Sequence, residues 1–229
     1  MRQDIALFRK RQVFLNYPFD DEFQDMSYAM HFAVVAAGLI PVCARDLSVP
    51  DKPRVDILVK AIASCQYSVH DLSRGRGEGA DNYARLNMPI ELGMALFQDL
   101  NTDGAAHRYA FFVGDPHEYK SYASDLSGLD AQYHENNDLT LLRLIYEWLR
   151  FVLPGNLRGQ PATADMITKY EAFKVDLGGI HGTGRDGHPT HGEAQELMYD
   201  SCAKAGWWTW RDNPIGLDEF PPLPLSRKS

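Results

Sequence analysis

The chain is short of cysteine, of positive charge and of long apolar runs, and each shortage excludes a class of function. Its three cysteines, Cys43, Cys65 and Cys202, are odd in number and widely spaced. They make neither a disulfide framework nor a paired metal-ligand spacing, and a reducing cytoplasm is the expected setting. Lysine and arginine total 23 against 31 acidic residues, for a formal net charge of -8. A general binder of phosphate backbones needs the opposite balance, so nucleic acid is not expected as a main partner. Met1 to Arg11 alternates charge with short apolar stretches and lacks the apolar core of a signal peptide, and no apolar run is long enough to span a bilayer. No membrane partner is expected.

What is present suffices for a packed α/β domain. With 229 residues, 45% of them hydrophobic, the chain can bury a full core and carry an appended subdomain. Gln12 to Tyr17 is apolar and β-prone, and Asp21 to Ala37 then carries Phe23, Met26, Met30, Val34 and Ala37 at helical spacing until Gly38 stops it. Leu39 to Ala44 and Tyr67 to Leu72 read as strands on either side of a helix from Pro53 to Ser64. A further helix carries Glu91. Arg108 to Val113 is the most continuous apolar strand, and a short helix near Glu118 to Asp125, a brief strand at Ala131 to His134 and an amphipathic helix at Leu139 to Leu153 follow. Strands separated by helices imply right-handed crossovers and a mainly parallel sheet of about five strands covered on both faces, a flavodoxin-like sandwich over residues 1–153. Pro154 to Pro161 is a linker by composition. Residues 162–229 are expected to form a helical extension, with helices near Ala164 to Leu177 and Glu193 to Ala205 and a proline-rich tail.

The run Asn87-Met-Pro-Ile-Glu-Leu-Gly-Met-Ala-Leu96 places an acid where a strand hands over to a helix. Asn87 can cap that helix, Pro89 suits its first turn, and Glu91 then lies near the positive end of the macrodipole, which is expected to keep it ionised. A carboxylate at the carboxyl edge of a parallel sheet can stabilise a cationic sugar carbon, as cleavage of an N-glycosidic bond requires. Asn16, Tyr17, Pro18 and Phe19 end the first strand and should line the same crevice, with an aromatic ring free to stack on a base. Arg45, ending the second strand, suits a phosphate. The cluster of Arg74, Arg76 and Arg85 in the Gly-rich loop reads equally as a nucleotide holder and as solvated loop. Asp71, ending the third strand, supplies a second carboxyl, orients ribose hydroxyls or forms a strand-end turn, and Asp20 or Asp21 is expected to cap the following helix.

Three segments together carry a resemblance: Val13-Phe-Leu-Asn-Tyr-Pro-Phe19, His70-Asp-Leu-Ser73, and Asn87-x-x-x-Glu91-Leu-Gly-x-Ala95. Over residues 12–153 the chain resembles the shared core of nucleoside 2-deoxyribosyltransferases and TIR-like nucleotide-processing proteins. Several prokaryotic members of that superfamily act in antiviral defence by consuming NAD or converting it to a cyclic ADP-ribose signal, as in Thoeris systems. The resemblance implies an NAD hydrolase or cyclase, with Glu91 and Asp71 as the catalytic pair and Asn16, Tyr17, Pro18, Phe19, Arg45, Arg74, Asn87 and Met88 binding the substrate. NAD is then a substrate, and no cofactor or metal is expected. Met88-Pro89-Ile90 stands where the transferases carry Gly-Thr, and no Trp-Cys precedes Glu91 as it does in many animal-type TIR domains. The alternatives are a deoxyribosyltransferase and a non-catalytic nucleotide-binding sensor. A homo-oligomer and a defence-system partner protein are the partners the resemblance suggests.

Breaking the nicotinamide bond of NAD expels a neutral base from a pyridinium, so one carboxylate can suffice, whereas a purine nucleoside leaves badly without protonation. The stretch from His181 to Glu193 holds three histidines but lacks paired cysteines and helical His-x-x-x-His spacing, so it reads as a surface or partner-facing loop. Cys43 and Cys65 read as packing residues, and Trp207, Trp208 and Trp210 as a staple between extension and core.

Overall fold

A computed structural model, which describes residues 11–45, 47, 53–75, 87–102, 106–153 and 161–207, arranges the strands in one parallel sheet. These are β1 (Gln12–Asn16), β2 (Ile40–Cys43), β3 (Tyr67–Asp71), β4 (Arg108–Val113) and β5 (Gln132–Tyr133), in the spatial order β2-β1-β3-β4-β5. Every neighbouring pair is parallel. This is the flavodoxin-like order, and its direction reverses between β1 and β3, where open α/β sheets present a crevice beyond the strand ends. Asn16 lies at that switch point, in register with His70 of β3.

Among the described residues there are six helices around the sheet: α1 (Gln24–Ala36), α2 (Arg54–Ser64), α3 (Asn87–Thr102), α4 (Asp138–Val152), α5 (Thr163–Gly178) and α6 (His191–Lys204), the last two packed on α1. The strands alternate, so successive side chains face opposite layers. Val13, Leu15, Tyr67, Val69, Ala110 and Phe112 join the core beneath α1 and α4. Phe14 and Val42 join the core beneath α2, and Phe111 and Val113 pack with Leu72, Met88 and Leu92 of the α3 side.

Helix α1 is buried from Met26 to Ala36. A helix apolar on every side needs neighbours on every side, and α4, α5 and α6 supply them: Met166, Tyr170, Phe173, Ala194, Met198 and Cys202 share its core. Residues 161–207 of the extension are thus built into the layer that covers β1. Trp207 packs against this core, while Trp208 and Trp210 lie outside the described residues. Gly38, with φ of +72°, ends α1, and its N–H and that of Leu39 return to Val35 and Val34; only glycine takes that conformation without cost. Asp20 accepts a hydrogen bond from the Phe23 amide at 3.0 Å and caps a 3-10 turn, Asp21–Phe23, that leads into α1. One expectation fails. The segment read as a helix near Glu118 to Asp125 forms two 3-10 turns, Glu118–Ser121 and Ser124–Gly128, because three serines and a glycine favour local turns over a continuous helix.

Candidate functional site at the carboxyl edge of the sheet

Asn16 organises the centre of this edge. Its Nδ2 donates to the Met88 carbonyl at 2.9 Å and lies 3.0 Å from His70 Nδ1, so the amide ties β1 to the first turn of α3 and to β3. Behind it runs a buried polar chain: His70 Nε2 meets Ser68 Oγ at 2.9 Å, Ser68 Oγ meets His107 Nε2 at 2.8 Å, and His107 Nδ1 meets the Cys65 carbonyl at 3.0 Å. The carbonyl can only accept, so it fixes every proton upstream: His107 Nδ1–H donates to it, Ser68 donates to His107, His70 Nε2–H donates to Ser68, and Asn16 donates to His70. Both imidazoles are neutral in this arrangement. Burial, aided by the neighbouring His107, presses the His70 pKa down to about 3, and burial lowers that of His107. The chain holds the Asn16 amide in one orientation.

Tyr17, Pro18, Phe19 and Arg45 come together, with Asp20, Asp21, Gln24 and Ser27, around a cavity of about 80 Å³. Tyr17 and Phe19 meet edge to face at 5.0 Å, and the Arg45 guanidinium lies 5.4 Å over the Phe19 ring. Arg45 and Phe19 are exposed. The cavity has room for a ribose or phosphate group; a whole dinucleotide must extend along the open edge. Arg74 does not present a cation to it, because its guanidinium pairs with Asp20 at 3.0 Å and Glu22 at 2.6 Å. Arg76 and Arg85 lie outside the described residues.

Glu91 differs from its sequence reading in one respect. Asn87, the first described residue of this segment, is already helical, so Glu91 lies past the first turn, beyond the amides that concentrate the positive end of the dipole. It is 3% exposed, and among the described residues no hydrogen bond reaches its carboxyl. Burial dominates and raises its pKa to about 7, with Arg54 of α2 pulling the other way. The expected fully ionised carboxylate is therefore a group half protonated near neutral pH. Asn87 is exposed and Met88 buried at the head of the same helix. Glu91 does not line the 80 Å³ cavity; Asn16, through Met88, is the link between the two.

Asp71 is fully buried and engaged at both oxygens: Oδ1 accepts from the Ser73 amide at 2.9 Å and Oδ2 lies 3.0 Å from His134 Nε2. Ser73 Oγ also meets His134 Nε2, at 2.8 Å. The trio has the composition of a nucleophilic triad but not its geometry, since acid and hydroxyl share one imidazole nitrogen. Its visible work is to pin the end of β3 to the end of β5. Sequence reading missed Ser68, His70, His107 and His134; the available signal was two polar residues, Ser68 and His70, sharing one face of β3 opposite Tyr67 and Val69, which buried unpaired would be costly.

The loop histidines do not assemble. Among the described residues no group containing His181 or His188 has metal-ligand spacing; His191 starts α6 and faces His31 of α1 instead. No described helix is long and apolar enough to cross a membrane. Comparison with protein-family models, with curated proteins and with solved structures gives no match for this chain.

Proposed function

We propose that this protein cleaves the N-glycosidic bond of a nucleotide, with NAD as substrate and ADP-ribose or its cyclic isomer as product. The observation that carries this reading is Glu91, a carboxyl buried to 3% exposure without a hydrogen-bond partner among the described residues, on the helix that Asn16 ties to the switch point of the sheet. A buried carboxyl with no hydrogen bond from the described residues is costly as a structural element and useful as a reacting one. In the ionised form it faces the cation that develops at the ribosyl carbon when the bond breaks and the electron pair leaves with nicotinamide, which departs neutral. Water then adds and releases a proton, or an adenine nitrogen of the same molecule adds and closes the ring. Arg45 and Phe19 suit a phosphate and a base at the cavity mouth. Asp71 acts as a positioning residue.

The test is to incubate the full chain with NAD, and separately with a deoxynucleoside plus a free base, and follow products by mass spectrometry beside Glu91→Gln. Nicotinamide release should fall at least about a hundredfold in the variant. In the wild type it should rise with pH through about 7 and then level off, because the carboxylate is the working form. Wild-type rates in Glu91→Gln would sink the reading. The raised pKa favours a second reading, since a protonated Glu91 could protonate a departing purine as a deoxyribosyltransferase requires. Base exchange with NAD left intact, falling as pH rises through 7, selects that enzyme. Tight binding of a nucleotide without turnover selects a sensor. Antiviral defence and a homo-oligomeric active form rest on the resemblance to TIR-like proteins, and specific activity that climbs with protein concentration would support the oligomer.

A further inference from the structure

Four side chains from four elements converge beside the cavity that Tyr17 lines. They are Tyr17 after β1, His31 of α1, Cys43 of β2 and His191 of α6. Tyr17 Oη lies 2.9 Å from His31 Nε2 and 3.6 Å from Cys43 Sγ. The rings of His31 and His191 meet edge to face with centroids 4.8 Å apart, and one nitrogen of each lies with Cys43 Sγ in a group spanning no more than 4.8 Å. His31 and Cys43 are fully buried, Tyr17 is 3% exposed, and His191 is half-buried. Between the histidines stands Gln195, whose Nε2 is 3.3 Å from His31 Nδ1 and 3.1 Å from His191 Nε2.

We propose that Tyr17, His31, Cys43 and His191 bind a divalent ion of the zinc class and that the ion fastens α6 to the β1–β2 end of the sheet. Thiolate and neutral imidazole are the donors that zinc selects, with bonds of about 2.0–2.3 Å. In a tetrahedron of that size the ligand atoms stand roughly 3.3–3.8 Å apart, so the widest separation must close by about 1 Å. His191, at the first position of α6 and half-buried, supplies that movement by turning its side chain. The Tyr17 hydroxyl already lies near tetrahedral edge distances from His31 and Cys43 and takes the fourth vertex. On binding, the Cys43 thiol and the Tyr17 hydroxyl each give a proton to solvent, so thiolate and phenolate offset the charge of the ion while the imidazoles enter neutral. With its amide turned over, Gln195 accepts the Nδ1–H of His31 through Oε1 and fixes the ligand's orientation. The ion would also fix the Tyr17 ring at the cavity wall. The inference needs no turnover and stands apart from the glycosidic reading.

Cobalt is the probe. The full chain, stripped with a chelator, should take up one equivalent of Co²⁺ with visible bands of tetrahedral intensity and a thiolate-to-cobalt charge-transfer band, and Zn²⁺ should displace both. Cys43→Ser should lose the charge-transfer band, while Cys65→Ala should keep it. His191→Ala, at a half-buried position that leaves the fold intact, should weaken Zn²⁺ binding at least tenfold and abolish the rise in Tm that Zn²⁺ gives the wild type. His188→Ala should change neither. Absence of stoichiometric Co²⁺ binding, an octahedral spectrum without thiolate character, or equal affinity in His191→Ala would overturn the proposal.

Discussion

The two faces of the sheet are built to different standards. On one, α1 is enclosed by α4, α5 and α6, and a single apolar core runs from Val13 to Cys202. On the other, α2 and α3 form one layer over two smaller cores and leave Val55, Val59, Ile90, Phe97 and Leu100 exposed. The buried polar groups follow the same division. The thick face holds Tyr17, His31 and Cys43, side chains that suit a metal; the thin face holds Asn16, the His70 chain and Glu91. The larger core lies where the extension packs over α1, and the thin face carries the carboxyl whose burial works against the fold.

Truncation should separate the faces most strongly. Phe32, fully buried with Tyr170 and Phe173 rings at 5.3 and 5.4 Å, fills the junction of α1 and α5. Phe32→Ala should cost about 3–5 kcal/mol in denaturant unfolding. The same change at Phe97 of α3, 69% exposed, should stay within about 0.5 kcal/mol. Equal losses would mean that the α3 surface is covered in solution by another chain. The polar chain of the thin face comes next. Ser68→Ala removes one hydroxyl that serves two imidazoles, leaving His70 Nε2 and His107 Nε2 buried without it. The loss should be about 2–4 kcal/mol, because each abandoned group keeps its desolvation cost. A neutral result would mean that water replaces the hydroxyl.

Most of the framework was legible because periodicity and punctuation agree. The helical spacing of Phe23, Met26, Met30 and Val34 with Gly38 after it, and the apolar run from Gln12 to Tyr17, each mark an element as local rules prescribe; the cap that Asn137 gives α4, accepting from the Thr140 amide at 2.8 Å, emerges only from the structure. The cluster of Tyr17, Phe19 and Arg45 was legible because strand ends of a parallel sheet share one edge. The charge state of Glu91 was not, since it depends on α2 closing over α3 and on the distance to Arg54, which no local pattern encodes. Nor was the engagement of Asp71 by His134, 63 residues away, or that of His31 with His191. Each contact joins elements whose existence sequence reading gives but whose atomic register it cannot, and for α6 it gives no layer either, since the extension reads as an appendage.

Glu91 gives the subtlest test of the thin face, and its sign is opposite to the others. An unfolded glutamate titrates near 4.5, whereas burial raises the folded value to about 7. Between those values the folded chain binds one more proton than the unfolded chain, so stability falls as pH rises through this window and levels off above it. The full shift corresponds to about 3 kcal/mol at most. Glu91→Gln, uncharged at every pH, should therefore be more stable than wild type at pH 8 by about 1–3 kcal/mol and should lack this slope, while equal stability at pH 5 and 8 in the wild type would show that the carboxyl is solvated. Arg54 pulls the value down, so Arg54→Ala should move the window to higher pH. A chain that gains stability when Glu91 is neutralised, and loses turnover with it, keeps the acid for its chemistry and not for its fold.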